Sequence, residues 1–393
     1  MRLSLKPQAS DTRNRTAAPY LFVFLEVFSQ EGGIQSYVQD ILQSYSAQTD
    51  LPPAQVLLLR DRPTDLPLSL PQLSFQSFYD ESSPRGRLRF TFALLKSLIQ
   101  HKPQRVFCGH IKLAPLVKLL CQPLGIPYTV LTYGKEVWKP LASRERTALQ
   151  QADRLWTISR YSRDRACAAN GIDPAKVQIL PCAVDDERFT PGEAASTLIE
   201  RYQLANSTVI MTVARLWSGD IYKGVDVTLR ALPTIVQAIP NVKYLVIGRG
   251  DDQPRLAQLA IDLGVSDRVI FAGFVPTADL VEHYRLADAY VMPSQEGFGI
   301  VYLEAMACGV PVVSGDADGS ADPLQDGKLG WRVPHRDSNA VADACIALLQ
   351  GSGSAGETGL HRRCDGMWLR QQTLEQFGRR AFARQLYALV QEG

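Results

Sequence analysis

The stretch SQEGFGIVYLEAMA at residues 294–307 decides how the second half of the chain folds. The apolar run before it, Ala289–Met292, predicts a buried strand, and a helix is predicted to begin near Ile300. The loop between them carries Gly297 and Gly299, residues that let a backbone approach a ligand closely. A strand, a glycine-bearing loop and a helix N-terminus present free backbone N–H groups, an arrangement that favours phosphate binding.

Two glutamates flank this loop, eight positions apart. Glu296 precedes the helix, and Glu304 lies a little over one turn inside it, among apolar neighbours. A carboxylate in such surroundings is costly without a partner, so a ligand hydroxyl is a reasonable partner for Glu304. For Glu304 alone, a solvent-facing position on an ordinary helix is an equal alternative. The whole segment favours a binding site.

Outward from this segment, short apolar runs alternate with amphipathic stretches. Predicted strands begin with Tyr20–Val27 and, after a linker at residues 187–200, start again with Val209–Ala214. Such alternation predicts parallel sheets with helices on both faces. The sequence therefore predicts an α/β protein with two doubly wound domains, whose ligands bind at the carboxyl ends of strands and between the domains.

The length agrees with two domains, since 393 residues hold two units of roughly 150 residues or a little more. The predicted divisions are a flexible N-terminal tail at residues 1–18, a first domain at residues 19–190, a second domain at residues 191–372, and a C-terminal helix at residues 373–393 that packs back toward the first domain.

The glutamate pair and the residues after it resemble a family signature. Glu296 and Glu304 match an E-x7-E motif, AMACGVPVV at residues 305–313 continues it, and DGKLGW at residues 326–331 is similar to a turn that follows. Together they resemble the retaining glycosyltransferases of family 4, also called group 1, strongly over residues 209–335 and more loosely over residues 20–190. The resemblance implies a GT-B fold, with two Rossmann-like domains facing the cleft that holds the active site.

The resemblance also implies the reaction. A hexose would move from a nucleoside-diphosphate sugar to a hydroxyl of a glycan, lipid or small-molecule acceptor, forming an α-glycosidic bond. The nucleotide sugar would bind the second domain and the acceptor the first. Glu304 would hold ribose hydroxyls and Glu296 sugar hydroxyls. The implied donor contacts are Gly32, Gly33, Arg215, Lys223, Glu296, Gly297, Phe298, Gly299, Ile300 and Glu304.

Two cations stand where a departing diphosphate would need them. Arg215 follows the strand at Val209–Ala214 and Lys223 precedes the next helix, in segments similar to the family's "GRL…KG-x-D". Cations at this edge of a sheet would stabilise the leaving group electrostatically. No Asp-x-Asp stands in a metal-binding context. The prediction is therefore a metal-independent reaction without a cofactor, in which the donor is a substrate linked to UDP or GDP.

In the first domain, His110 ends the predicted strand at Val106–Gly109 and resembles the family's histidine near the donor sugar. TYGKEVW at residues 132–138 resembles an "H-G-x-E-x-W" variant, with Tyr133 where that variant often has histidine. Tyr133 and Glu136 are predicted to face the acceptor, a salt bridge being the alternative for Glu136. The predicted catalytic residues are His110, Arg215, Lys223 and Glu296.

A second glycine loop departs from the family pattern. DGSAD at residues 318–322 stands where the family has "GG-x-x-E", so part of the glycine pair is lost. The sequence therefore does not decide whether this loop contacts phosphate.

The net charge of +2 conceals an uneven distribution. Residues 1–190 carry 24 Lys and Arg against 17 Asp and Glu, whereas residues 191–393 carry 18 against 23. Residues 85–165 alone hold 16 basic and four acidic side chains. This stretch predicts docking on an anionic membrane surface or binding of an acidic or lipid-diphosphate acceptor, with a solvated basic face as the alternative. It lacks interleaved aromatics and any nucleic-acid motif, so nucleic acid is not an expected partner.

The composition, 46% hydrophobic and 21% charged, excludes disordered and collagen-like chains. The seven widely spaced cysteines argue against a disulfide framework or zinc ribbon. No apolar run approaches the roughly 18–20 residues of a membrane helix, and the N-terminus lacks the apolar centre of a secretory signal. The expected location is cytoplasmic, on the inner face of the membrane if the basic stretch binds lipid.

Three alternatives remain. Gly248 and Gly250 after a strand could indicate a dehydrogenase, but the third glycine is missing and two aspartates follow. A glycan phosphorylase shares the fold but needs a cofactor lysine and a longer chain. A non-catalytic nucleotide-sugar-binding subunit of a glycan assembly complex would keep the fold and lose the site residues.

Overall fold

A computed structural model describes residues 19–67, 69–351 and 363–392. The predicted tail at residues 1–18 lies outside the described residues. The described chain forms two parallel sheets, each covered by helices, so the predicted α/β class with two Rossmann-like domains is confirmed.

The first sheet has seven strands, and all of its pairs are parallel. Its strands are β1 (Tyr20–Phe24), β2 (Ala54–Leu58), β3 (Leu73–Ser77), β4 (Val106–Cys108), β5 (Tyr128–Thr132), β6 (Arg154–Thr157) and β7 (Val177–Ile179). The helices of this domain are α1 (Gly33–Ser46), α2 (Ser83–His101), α3 (Ala114–Cys121), α4 (Ser143–Gln150) and α5 (Arg160–Asn170). The strand order is β3-β2-β1-β4-β5-β6-β7.

The second sheet has six parallel strands. Its strands are β8 (Thr208–Val213), β9 (Val242–Ile247), β10 (Val269–Gly273), β11 (Ala289–Met292), β12 (Val312–Gly315) and β13 (Trp331–Val333). The helices are α6 (Ser196–Arg201), α7 (Val225–Ala238), α8 (Gln253–Asp262), α9 (Leu280–Tyr284), α10 (Ile300–Ala307), α11 (Ser338–Leu349), α12 (Gly366–Phe377) and α13 (Arg379–Gln391). The order is β10-β9-β8-β11-β12-β13.

The central strands are buried on both faces, which is why they read as continuous apolar runs in the sequence. In both sheets the order reverses beside the first strand, between β1 and β4 and between β8 and β11. Ligands of doubly wound sheets bind at the carboxyl ends of strands next to such a reversal. The loops after β4 and β11, which carry His110 and Glu296, leave the sheets at these positions.

Arg370 on α12 fastens the second domain to the chain that leads into it. Its guanidinium donates hydrogen bonds to the carbonyl oxygens of Asp186 and Phe189, in the chain that leads into this domain, and of Ala307 at the end of α10. The chain then turns at Gly378, and α13 packs against α1 of the first domain. The last described helix therefore joins the first domain.

Three elements were not predicted from the sequence. The edge strand β3 alternates half-buried and exposed side chains and so lacks a continuous apolar run. Strand β13 is only three residues long. Residues 187–200 were predicted as a linker, but α6 begins within them at Ser196. Short or half-exposed elements give a weak periodic signal.

The packing of α13 on the first domain depends on Phe382. Its side chain is buried, and its ring meets Tyr37 of α1 edge to face at 6.0 Å between centroids. Phe382→Ala is expected to lower the free energy of unfolding by about 3–5 kcal/mol, because it leaves a cavity between these helices. Urea denaturation followed by circular dichroism measures this change.

Arg384→Ala on the same helix is the control, since Arg384 is exposed. It is expected to change the unfolding free energy by less than about 0.5 kcal/mol. Equal effects of the two substitutions would contradict the assignment of α13 to the core of the first domain.

Candidate active site

The loop between β11 and α10 is held by close backbone packing. Gly299 caps α10 with a φ of 92°, and a Cβ on it would collide with the ring of Tyr302. A Cβ on Gly297 would lie 2.9 Å from the carbonyl oxygen of Tyr133, across the cleft. The hydroxyl of Tyr302 donates to the carbonyl oxygen of Met292 at 2.8 Å, which fixes the start of the loop. Both glycines are therefore required by the packing.

Glu296 forms an ion pair with Lys223 at the carboxyl edge of the second sheet. The two side chains are 17% and 18% exposed, so the pair is largely shielded yet open to a ligand. Burial alone would lower the pKa of Lys223, but the neighbouring Glu296 carboxylate raises it above its ordinary value. Lys223 is therefore a cation at neutral pH.

The loop at residues 318–322, which differs from the family's glycine pattern, fixes the backbone of Glu296. The carboxylate of Asp318 accepts hydrogen bonds from the N–H groups of Glu296, at 2.7 Å, and of Ser320, at 2.9 Å. The N–H of Gly319 donates to the Glu296 carbonyl oxygen at 2.9 Å. Burial raises the pKa of Asp318 to about 6. Where the family has the first glycine of a pair, this chain thus has a buried aspartate that positions Glu296.

Glu304 lies in the apolar interior of α10 and is 9% exposed. The hydroxyl of Tyr284 donates to its carboxylate at 2.7 Å. Burial raises the pKa of Glu304 to about 7, while the Tyr284 hydrogen bond and the charge of Arg188 lower it. The buried carboxylate has a protein partner, and a ribose contact remains a prediction.

Arg215 is the more exposed of the two predicted diphosphate ligands. Its guanidinium pairs with Asp220 at 3.0 Å and lies 4.9 Å from the centroid of the Trp217 ring. Its side chain is 60% exposed, so the cation is accessible from the cleft edge. Arg215 lies between β8 and the short helical segment Ser218–Lys223, and Lys223 ends that segment, so both cations follow the carboxyl end of β8.

The first domain contacts this loop directly. The hydroxyl groups of Ser159 and Ser162 donate to the carbonyl oxygen of Gly297, at 2.5 and 3.2 Å. Arg160, beside them at the start of α5, forms ion pairs with Asp322 and Asp326 of the second domain. The two domains are therefore closed on each other at the loop that carries Glu296.

His110 follows β4 in a half-buried position. Burial and the charges of Lys112 and Arg60 lower the pKa of His110 to about 4, so its ring is neutral near pH 7. Its Nδ1 accepts a hydrogen bond from the backbone N–H of Lys112 at 3.0 Å, which leaves the proton on Nε2. His110 therefore offers an N–H donor rather than a positive charge.

Tyr133 and Glu136, the predicted acceptor residues, shape their own loop. The Tyr133 hydroxyl donates to the Gly109 carbonyl oxygen at 2.7 Å. The Glu136 carboxylate accepts hydrogen bonds from the N–H groups of Tyr133 and Gly134, at 2.5 and 3.2 Å, and burial raises its pKa. These contacts give both residues a positioning role, and acceptor binding stays a prediction.

The remaining predicted donor contacts lie at the starts of helices or in the core. Gly32 and Gly33 lie exposed at the start of α1. Phe298 is buried and packs edge to face against Phe377 of α12, 5.8 Å between centroids, so its side chain anchors the loop in the core. Ile300 begins α10 and is half-buried.

Sequence reasoning missed four residues at this site: Lys135, Ser159, Asp318 and Asp322. Asp318 and Asp322 lie in the loop that departs from the family pattern, and that departure was their only signal. Lys135 occupies the unspecified position of the "H-G-x-E" segment. Ser159 caps α5 by accepting a hydrogen bond from the Ser162 N–H, and this local role gives no sign of its contact with the second domain.

Within residues 19–67, 69–351 and 363–392, no group of three or more His, Cys, Asp or Glu side chains is placed to hold a metal ion. None of the helices described in these ranges is both long and apolar enough to cross a membrane. Metal independence and the location of the protein stay predictions.

Comparison with known proteins relates this architecture to one family. Residues 32–183 match the model of the "glycosyl transferase 4-like domain", and residues 207–351 match that of "glycosyl transferases group 1". The first match lies within the first Rossmann-like domain and begins after β1, and the second lies within the second domain and includes Arg215, Lys223 and the loop with Glu296.

Relatives match over most of the chain. A Mycolicibacterium smegmatis protein, the GDP-mannose-dependent alpha-(1-6)-phosphatidylinositol monomannoside mannosyltransferase, is 32% identical over 85% of this chain and 90% of its own length. The D-inositol 3-phosphate glycosyltransferase of Acidothermus cellulolyticus is 31% identical over 66% of this chain and 63% of its own length.

A solved structure shares the fold. The crystal structure of Anabaena HepE in complex with UDP aligns with a TM-score of 0.74 at 18% identity, covering 95% of this chain and all of that one. This likeness supports the GT-B arrangement of two domains. Taken with the family models and the long match to the Mycolicibacterium smegmatis protein, it shows that the chain belongs to the group 1 glycosyltransferases of family 4.

Proposed function

We propose that this protein is a retaining hexosyltransferase that moves a hexose from a nucleoside-diphosphate sugar to a hydroxyl of a glycan, lipid or small-molecule acceptor, forming an α-glycosidic bond. The observation that carries the proposal is the convergence of Glu296, Lys223 and Arg215 at the carboxyl edge of the second sheet, against the first domain. An acid and two cations gathered in a cleft between domains, with Glu296 and Lys223 largely shielded from solvent, are typical of a binding site for a charged ligand.

In the proposed reaction, the bond between the anomeric carbon and the diphosphate breaks, and the diphosphate takes the electron pair. The acceptor oxygen bonds to the anomeric carbon on the same face, and its proton passes to a departing phosphate oxygen. Lys223 and Arg215 stabilise the negative charge that grows on the diphosphate. Glu296 holds the sugar hydroxyls, and His110 supplies a neutral N–H donor near the sugar. No metal ion takes part.

The names of the relatives indicate which donors and acceptors to test first. The Mycolicibacterium smegmatis relative is named for GDP-mannose and a phosphatidylinositol monomannoside, and the Acidothermus relative for inositol 3-phosphate. GDP-mannose is therefore the first donor to test, and an inositol-containing acceptor the first partner, within a screen of UDP-, GDP- and ADP-sugars.

Glu296→Gln is expected to reduce kcat by about 100-fold or more, because the neutral amide no longer pairs with Lys223 or accepts strongly from the sugar hydroxyls. Release of nucleoside diphosphate at saturating donor measures the change. Glu200→Gln, an exposed glutamate on α6, is the matched control and should keep the rate. A Glu296→Gln variant with the full rate would remove the proposed role of Glu296.

The alternative of a non-catalytic binding subunit makes a different prediction. Such a protein would bind a nucleotide sugar but release no nucleoside diphosphate with any acceptor in the screen. Calorimetric binding measured beside turnover on the same preparation separates the two functions.

Donor affinity is expected to depend on the ionisation of Glu304. The pKa of this carboxyl, raised to about 7 chiefly by burial, means that its proton is gained as the pH falls through 7. A protonated carboxyl accepts ribose hydroxyls poorly, so GDP-mannose should bind up to about tenfold more weakly for each pH unit below that point. Calorimetry between pH 6 and pH 8.5 measures the dependence.

Glu304→Gln is the control for that titration. It should bind GDP-mannose more weakly than the unchanged protein at pH 8 and with a flat pH profile. GDP-mannose is the suitable probe because its diphosphate does not titrate in this range. The same slope in both proteins would assign the pH dependence to another group.

We further propose that α2 docks on an anionic membrane. Leu88 and Phe92 are 73% and 68% exposed on this helix, and Ile99 continues their line. Arg85, Arg89 and Lys96 are exposed beside them. An apolar stripe flanked by cations suits insertion at the headgroup level of anionic lipid. A lipid-linked acceptor would then be met at the membrane surface by the first domain.

Co-sedimentation with phosphatidylcholine vesicles, with and without phosphatidylglycerol, tests this docking. Binding should require the anionic lipid and weaken with salt. Leu88→Ser combined with Phe92→Ser should reduce binding at least tenfold, whereas Ile261→Ser, an exposed apolar residue of α8, should have no effect. Binding that ignores lipid charge or these substitutions would exclude α2 as the docking surface.

A further inference from the structure

The cleft contains a third cation, Lys135, which the first domain supplies. Lys135 stands between Gly134 and Glu136, in the loop that follows β5. Its ammonium group lies over the aromatic ring of Tyr222, a residue of the second domain. The Lys223 ammonium lies 5.4 Å from the centroid of the same ring. One aromatic side chain therefore brings together cations from both domains.

Other contacts tie Tyr222 and Lys135 to the loop that carries Glu296. The N–H of Gln295 donates to the Tyr222 carbonyl oxygen at 3.0 Å. A Cβ on Gly134, next to Lys135, would lie 3.5 Å from the Cα of Gly297. Lys135 thus reaches the carboxyl edge of the second sheet because the two backbones touch here.

Hydrogen bonds within the loop that carries Lys135 hold its backbone in place. The Glu136 carboxylate accepts hydrogen bonds from two N–H groups of the same loop, and the N–H of Val137 donates to the Gly134 carbonyl oxygen at 3.0 Å. Gly134 itself has a φ of 142°, in the region that favours glycine. The backbone of this loop therefore aims Lys135 at the second domain without help from a ligand.

The charges around Lys135 leave one cation uncompensated. Lys223 pairs with Glu296 and Arg215 pairs with Asp220. Among the residues that the structure describes, Lys135 has no carboxylate within ion-pair distance, and its side chain is exposed. Burial lowers the pKa of Lys135 to about 8, as do the charges of Lys223 and Arg215, while Glu296 and Asp220 raise it. The cluster has a net positive charge while Lys135 is protonated.

We propose that Lys135 is a ligand of the donor diphosphate, supplied by the first domain and in place only when the two domains are closed. The proposal rests on the function proposed above, since it needs a nucleoside-diphosphate sugar in this cleft. The diphosphate gains a negative charge as the glycosidic bond breaks, and a cation without a carboxylate partner is the one free to stabilise it. Domain closure then delivers the third cation to the phosphates.

Lys135→Met tests the charge while keeping most of the side chain that covers Tyr222. It should weaken GDP and GDP-mannose binding about tenfold or more and lower kcat/KM about 10- to 100-fold, because one phosphate contact is lost. Affinity for guanosine should stay unchanged. Lys135→Arg should restore most of the binding. Lys139→Met, an exposed lysine four residues later, is the matched control and should behave like the unchanged protein.

A pH profile gives a second readout that a purely structural role would not move. Lys135 loses its proton as the pH rises through about 8, so GDP affinity should fall above that pH. The groups that face Lys135 are Tyr222, Lys223, Arg215, Glu296 and Asp220. In Lys135→Arg the cation persists, so this fall should disappear.

The outcomes separate the two proposals. If the unchanged protein binds none of the UDP-, GDP- and ADP-sugars, the proposed function fails, and the role of Lys135 fails with it. If the unchanged protein binds GDP-mannose and Lys135→Met binds it equally well, only the role of Lys135 is excluded. An equal loss of guanosine and GDP affinity in Lys135→Met would also overturn the phosphate contact, because it would indicate a general effect on the cleft.

Discussion

The arrangement of the cleft depends on the carbonyl oxygen of Gly297, because the two domains are hydrogen-bonded to each other there. It accepts hydrogen bonds from Ser159 and Ser162 of the first domain, while Gly297 itself belongs to the loop that carries Glu296. A larger residue at this position would press on the Tyr133 carbonyl oxygen. Glycine is therefore needed for two reasons at once, close contact between the domains and the path of the loop. The backbone atoms of Gly297 therefore determine both the contact between the domains and the position of Glu296.

Protein partners explain why the buried carboxylates in and around this loop do not destabilise the fold. A buried charge destabilises a protein unless hydrogen bonds or an opposite charge compensate it. Glu296 has Lys223, Glu304 has the Tyr284 hydroxyl, and Asp318 has two backbone N–H groups. Each carboxylate thus has a protein partner that also fixes its direction. Such preorganised groups stabilise charge in a reaction at little cost of reorganisation.

The fold and the centre of the site could be predicted because their signals are local in the sequence. Strand–helix alternation predicted both domains. The apolar run Ala289–Met292 and the glycines after it predicted the loop and its helix, and the spacing of Glu296 and Glu304 carried the family resemblance. Edge strand β3 and the three-residue β13 were not predicted, because a half-exposed or very short strand has little apolar pattern. The site roles of Lys135 and Asp322 were not predicted for a different reason. Their roles exist only across the domain interface, which no local pattern encodes.

The basic stretch at residues 85–165 contains cations in two different surroundings. Arg85, Arg89 and Lys96 lie exposed on α2 beside an apolar stripe. Lys135 and Arg160, in contrast, contact the second domain across the cleft. Of these two groups, only the first is proposed to meet a membrane, since Lys135 lies over Tyr222 and Arg160 pairs with two aspartates of the second domain. A positive stretch in a sequence therefore need not have one partner, because folding can turn part of it outward and part of it toward the acidic domain.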